Sequence, residues 1–254
     1  MYSDSDKLAD LFVKINGLLV DEKRNVEDVM RYIQRVIDDP DFVQVIDRVV
    51  SVPSDRIVSV SNDAPQPVVA KPIQTDEKLV DWQNFYQEVF GLMLDFSDVE
   101  LSAEQPGFGW VVVVPQGMTL NQAWDKCKER FPTFSYIGDN LDKAVPTNDR
   151  TPTNSYAKRF RDRVEADEEN KSLSANDLAK RKVQSITLLE RILLELWHHW
   201  KTGEHLDLDN WTLCAGSRGS DDTVPSTCWR DVGFLVCLFI LDLALDNLRS
   251  RSAV

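Results

Sequence analysis

A chain of 254 residues that is 43% hydrophobic and 28% charged has an ordinary globular composition, with room for one large domain or one domain plus a helical appendage. Its net charge of −13 argues against nucleic acid or an anionic membrane as partner, because both require a Lys/Arg excess. The longest uncharged apolar run, 232–241, is too short to span a bilayer. No secretory leader is visible, so a cytoplasmic location is expected.

Residues 4–50 read as a helical hairpin. Leu8, Leu11, Phe12, Ile15, Leu18 and Leu19 keep a helical period, and Val26, Val29, Met30, Ile33, Val36 and Ile37 repeat it before Pro40. Such a pair cannot hide both apolar faces alone, so it is expected to pack on the body or on another copy, as in a homo-oligomer. Pro53, Pro65, Pro67 and Pro72 mark 51–78 as a linker. A domain over 79–254 follows. Leu79, Trp82, Phe85, Tyr86, Val89 and Phe90 predict a helix over 79–94. The valine run 110–114, ended by Pro115, predicts a buried strand. Thr119 is placed to cap a helix over 120–131, and 134–137 reads as a short strand. Residues 138–155 read as loop and 156–169 as a charged helix. Ser174 can cap a further helix, and Thr187 opens a stronger one over 188–201 that Gly203 closes. Beyond Asp209, the pieces 211–214, 224–229 and 234–240 predict a small antiparallel sheet.

The tail 213–254 is unusual in a way that folding preference does not account for. It contains no Lys, Glu, Gln or Met, whereas the preceding 212 residues hold 13 Lys, 13 Glu, 10 Gln and 4 Met. Codons ending in a pyrimidine encode every residue type except those four and Trp, and Trp229 is the only exception in the tail. Four Arg against five Asp leave the tail near neutral on an acidic body, which suits protein or small-molecule contact. The run 234–241 (FLVCLFIL) lies within a stretch, 234–245, that follows no clean period of either 2 or 3.6. It is readable as a central buried strand, or as diversified positions forming an exposed patch.

Chemistry-bearing clusters are sparse. His198 and His199 are adjacent on a helix, so their side chains diverge by about 100° and cannot share a metal as an i, i+4 pair would. The pairs Glu168–Glu169 and Asp221–Asp222 read as solvated acids. Cys127, Cys214, Cys228 and Cys237 form no CxxC pair and read as free thiols, with Cys214 or Cys228 as nucleophile the sharper alternative. The stretch 215–220 is Gly- and Ser-rich but lacks the lysine and spacing of a phosphate loop. No cofactor is expected.

The order strand, helix, helix, short strands resembles the C-type lectin-like fold, and TLNQAWDKCKERF (119–131) resembles its first helix. The closing segment, from ITLLERILLELWHHW through CAGSRGSDDTVPSTCW to LRSRSAV, is similar to bacterial proteins from candidate-phylum genomes. It also looks like the variable proteins of diversity-generating retroelements, whose 3′ gene ends are rewritten by adenine-directed mutagenesis. The resemblance implies an α+β, C-type lectin-like domain that displays replaceable side chains to an unknown protein or small-molecule ligand. The implied diversified positions are Gly219, Asp222, Thr223, Thr227, Cys228, Arg230, Asp231, Phe234, Leu235, Cys237, Leu238, Phe239, Ile240, Leu241, Leu243 and Ala244. The implied frame is Trp211, Cys214, Gly216, Ser217, Arg218, Val224, Pro225, Ser226, Trp229, Leu248, Arg249 and Arg251. Neither a Glu-Pro-Asn nor a Gln-Pro-Asp calcium motif occurs. Two rivals stand beside this reading: an enzyme of the formylglycine-generating type on the same fold, and an α+β interaction protein whose apolar tail is buried.

Overall fold

The computed structural model describes residues 76–254, which belong to a unit spanning Ala70–Val254. The expected hairpin over 1–50, and the linker up to residue 75, lie outside the described residues. Asp76 accepts from the Lys78 N–H and so caps helix α1 (Glu77–Phe85), placing a helix start inside the expected linker. A π-helical turn, Tyr86–Phe90, continues α1 until Gly91 stops it at φ +70°. The Trp82 indole donates to the Val111 carbonyl at 2.7 Å and the Tyr86 hydroxyl to the Val113 carbonyl at 2.6 Å. Those carbonyls lie on strand β1 (Trp110–Val114), so side chains satisfy backbone groups that strand pairing leaves over.

The expectation of a charged helix over 156–169 is overturned. Residues Tyr156–Phe160 form a strand antiparallel to β1, with Trp110 opposite Phe160 and Val114 opposite Tyr156. The segment YAKRF offers no helical apolar stripe, and the valine strand supplies a partner for its whole length. Downstream, only Glu168–Asn170 is helical, as a single 3₁₀ turn.

Helix α2 (Leu120–Arg130) starts with a capping box in which Thr119 and Gln122 satisfy each other's backbone N–H. Asn140 caps a one-turn helix α3 (Leu141–Ala144) within the expected loop, and strand β3 (Thr147–Asn148) follows it. The paired strand 156–160 is β4. Ser174 caps α4 (Ala175–Lys180), and Thr187 with Glu190 forms the capping box of α5 (Leu188–Thr202). Gly203, at φ +75°, ends α5 in the left-handed conformation expected of it. Helices α2 and α5 pack together.

The main sheet has the order β2-β8-β7-β5-β9, from strands Thr133–Ser135, Gly233–Phe239, Val224–Arg230, Trp211–Leu213 and Leu248–Arg249. Strand β7 is antiparallel to β8 and β5, as expected, whereas β2 and β9 add in parallel. The remaining strand, β6 (Ser217–Arg218), pairs with β3. Phe234 and Val236 pack into the helix-side core with α2 and α5. Val224, Leu213 and Leu248 pack into a second cluster with Leu173, Ala175, Leu178 and Leu243. Residues 233–237 are buried on both faces of β8, which is why this run shows no period of 2. Its inner half is a central strand. The fold class is α+β, with small sheets and a few helices.

Candidate functional site

The tail is anchored by contacts that reach outside it. A Cβ on Gly216 would meet the Ser185 carbonyl oxygen at 2.6 Å, so this close approach excludes any side chain. Ser217 Oγ accepts from the Leu188 N–H at 2.9 Å and pairs with Asn148 Oδ1 at 2.5 Å, tying β6 to the start of α5. Trp229 stacks on His205 with ring centroids 3.3 Å apart, and Arg249 forms an ion pair with Glu168 at 2.6 Å.

Arg251 is the deepest of these anchors. Its Nη2 donates to Asp207 Oδ1 at 2.7 Å and to the Val164 carbonyl, and its Nη1 donates to the Arg163 carbonyl. Arg191 lies on the other side of Asp207, with Nε donating to Oδ2 at 2.9 Å and Nη1 to Glu195 Oε2 at 2.8 Å. All four side chains are fully buried. Burial alone would raise the Asp207 carboxyl, but Arg251 and Arg191 outweigh it and hold the group below the usual carboxylate range. Sequence reading placed Arg191 and Glu195 on no apolar stripe and missed this network. The signal was their i, i+4 spacing, which without Asp207 and Arg251 says nothing of burial.

The sixteen implied contact positions do not share one surface. Thr227, Cys228, Phe234, Leu235 and Cys237 are buried in the body of the β7–β8 hairpin. Phe234 packs against Trp124, Phe131 and the Arg191 guanidinium. Alternation along β8 sends Phe234 and Leu238 to one face, and Leu235, Cys237 and Phe239 to the other. Arg230 and Asp231 lie at the hairpin turn, where Arg230 donates to the Leu208 and Trp229 carbonyls. The other nine gather at the opposite end, ~20 Å away along a seven-residue strand.

At that end the loop 219–223 meets the segment 238–244. The Gly219 N–H donates to the Thr223 carbonyl at 2.8 Å, and Thr223 Oγ1 donates to Asp221 Oδ1 at 2.7 Å. A Cβ on Gly219 would lie 3.2 Å from Leu238, which places the loop against the strand end. Leu238, Phe239, Ile240 and Leu241 are half-buried, Leu243 is buried, and Asp222 and Ala244 are exposed. Ser220 and Asp221 are exposed on the same loop and were absent from the expected set. Leu238 turns to the helix-side core and Phe239, Ile240 and Leu241 to the second cluster, so this end is a half-buried apolar strip that crosses the strand edge beside a short polar loop.

No family model, curated protein or solved structure matches this chain.

The thiols are placed differently from the strip. All four cysteines are free and buried, and burial is the largest cause raising each thiol above its ordinary value. Cys228 and Cys237 also face Tyr136, whose hydroxyl is pushed up to about 12 by burial and then by those two thiols. Such thiols are disfavoured as nucleophiles. Among the described residues, no group of three His, Cys, Asp or Glu side chains can hold a metal ion. No helix among them is long and apolar enough to cross a membrane.

Proposed function

We propose that this chain is a ligand-binding display protein whose tail is diversified in the manner of retroelement variable proteins, on a C-type lectin-like domain. The observation that carries the reading is the missing Lys, Glu, Gln and Met across 213–254, a filter on residue type that ignores whether a position is buried or exposed. Thr227 is one such position: it is buried in β7, and its hydroxyl has no hydrogen-bond partner among the described residues.

Three features support the lectin-like arrangement. A strand and a helix precede the long helix α5, an antiparallel hairpin follows it, and the chain end returns beside the first strand pair. There the Val254 N–H and carbonyl exchange hydrogen bonds with Arg159 at 3.0 Å. The function is binding, with the backbone held by Gly216, Ser217, Trp229 and Arg251 while side chains at 219–223 and 238–244 make the contacts. The ligand is a protein or small molecule, met first through Leu238, Ile240 and Leu241. Burial assigns Thr227, Cys228, Phe234, Leu235 and Cys237 to the scaffold, whatever wrote them.

The coding DNA tests this reading. Codons ending in pyrimidine at Asp222, Thr223, Leu238, Ile240, Leu241 and Ala244, with a downstream near-copy differing at adenines beside a reverse transcriptase gene, would establish it. Codons ending freely in A or G at these positions would refute it.

A further inference from the structure

The end of α5 carries His198 and His199, and His205 follows in the loop that meets β7. His199 and His205 stack at 4.5 Å with planes 10° apart, and His205 stacks in turn on Trp229. Phe131 closes this stack edge-on, contacting His199, His205 and Trp229 at 5.1 to 5.6 Å. His198 points elsewhere, toward Trp110 at 5.3 Å. Parallel rings direct their nitrogen lone pairs along parallel planes, so His199 and His205 are poorly placed to bind one metal ion together.

The stack also fastens the hairpin. The loop after α5 accepts the Trp229 N–H at the Asp207 carbonyl (3.0 Å) and the Arg230 guanidinium at the Leu208 carbonyl (2.7 Å). If the loop shifts, the turn end of β7–β8 loses these bonds.

The cluster can accommodate few added protons. Glu195 is the one carboxylate in direct contact: its Oε1 pairs with His205 Nδ1 at 2.8 Å, while its Oε2 is already taken by Arg191 and the Leu206 N–H. Among the described residues, His199 Nδ1 and His198 Nε2 are buried without a hydrogen-bond partner. Burial, then His205, disfavours charge on His199; for His198 burial comes first, opposed by Glu195 and reinforced by Arg191 and Arg251. The remaining groups facing the cluster are Glu204 and the Gly203–Glu204 backbone at the helix end, which favour a cation, and the neutral Cys127 thiol beyond Glu195.

We propose that the stacked His199–His205 pair is an acid-released latch that holds the turn end of the β7–β8 hairpin at neutral pH and lets it go on acidification. Neutral rings stack and exclude water, whereas charged His199 faces His205 across 4.5 Å, where burial and that ring oppose the charge more than the Gly203–Glu204 backbone favours it. The sign follows from linkage: His199 resists protonation when folded and so binds fewer protons there than when unfolded, and the latch weakens as pH falls.

The test is amide hydrogen exchange over 228–234 of the full chain at pH 7.5 and pH 5, corrected for intrinsic rates. The expected result is protection at least about threefold lower at pH 5, and unchanged between the two pH values in His199→Phe, which keeps a stacking ring without a titrating nitrogen. Should His199→Phe fail to fold, ring-proton NMR of the unmodified protein gives the answer, with a His199 midpoint below that of a free histidine. Equal protection of the unmodified protein at both pH values, an unchanged acid response in His199→Phe, or a His199 midpoint at or above the free value would each overturn the latch.

Discussion

Arg251 Nη2 and Asp207 Oδ1 meet at 2.7 Å with both side chains fully buried, joining the last residues of the chain to the loop after α5. A buried pair of this kind adds little net stability over an apolar replacement of both partners, but removing one partner strands the other. Asp207→Asn leaves Arg251 and Arg191 without their shared carboxylate. We expect it to cost ~3–5 kcal/mol, read as a lower urea midpoint.

The same pair gives a pH dependence. Asp207 titrates below the usual carboxylate range when folded, so its contribution is complete above the unfolded value and is lost as pH falls through the folded one. Urea midpoints measured downward from about pH 5 should fall, and that slope should be shallower in Asp207→Asn. An identical slope in the variant would show that other carboxylates dominate acid unfolding.

Phe234 and Ile240 lie six residues apart in the tail with opposite environments. Phe234 is wholly buried against Trp124 and Phe131, whereas Ile240 is half-buried at the strip. Phe234→Ala should cost ~3–5 kcal/mol and Ile240→Ser less than about 1.5 kcal/mol, measured by thermal or urea unfolding.

Gly233 sits at φ +108°, and a Cβ there would lie 2.1 Å from the Pro132 carbonyl oxygen. The Phe234 N–H donates to that same carbonyl at 2.9 Å, so the hairpin turn is seated on the start of β2. Gly233→Ala should destabilise by at least about 2 kcal/mol through strain and displacement of this contact. The Ala variant of Gly117, at φ +76° with open space around its Cβ position, should cost about 1 kcal/mol.

Buried thiols should be silent to alkylation. With all four cysteines buried and their thiols raised, iodoacetamide at pH 8 should label none of them in the native chain and all four in denaturant. Rapid native labelling of Cys214 or Cys228 would instead favour the enzyme alternative.

Where local chemistry decides a structure, the sequence showed it. Thr119, Ser174 and Thr187 open their helices by side-chain caps, and Gly203 closes one because it accepts a positive φ. Where a distant partner decides, the sequence misled. Tyr156–Phe160 carries charges that suit a helix surface, yet the Val-rich strand 110–114 recruits it into a sheet. Glu190, Arg191 and Glu195 belong by type to the wet side of α5, yet Arg150, Asp207 and Arg251 turn them inward. The run 234–241 divides at its middle: the missing period reflects two covered faces up to Cys237 and a partly open strip beyond it. Residue type singled out the tail, but only β-strand alternation and burial separate its buried positions from its partly open ones.

On the proposed function, the tail is a fixed frame carrying replaceable side chains at one end. Two libraries of the full chain test it most directly, both drawn from the residue types that pyrimidine-ending codons encode. One randomises Asp222, Thr223, Leu238, Ile240, Leu241 and Ala244; the other randomises Gly216, Ser217, Trp229, Phe234 and Arg251. Protease resistance of displayed variants reports the folded fraction. Most members of the first library should remain folded and almost none of the second. Comparable folded fractions in the two libraries would contradict the account.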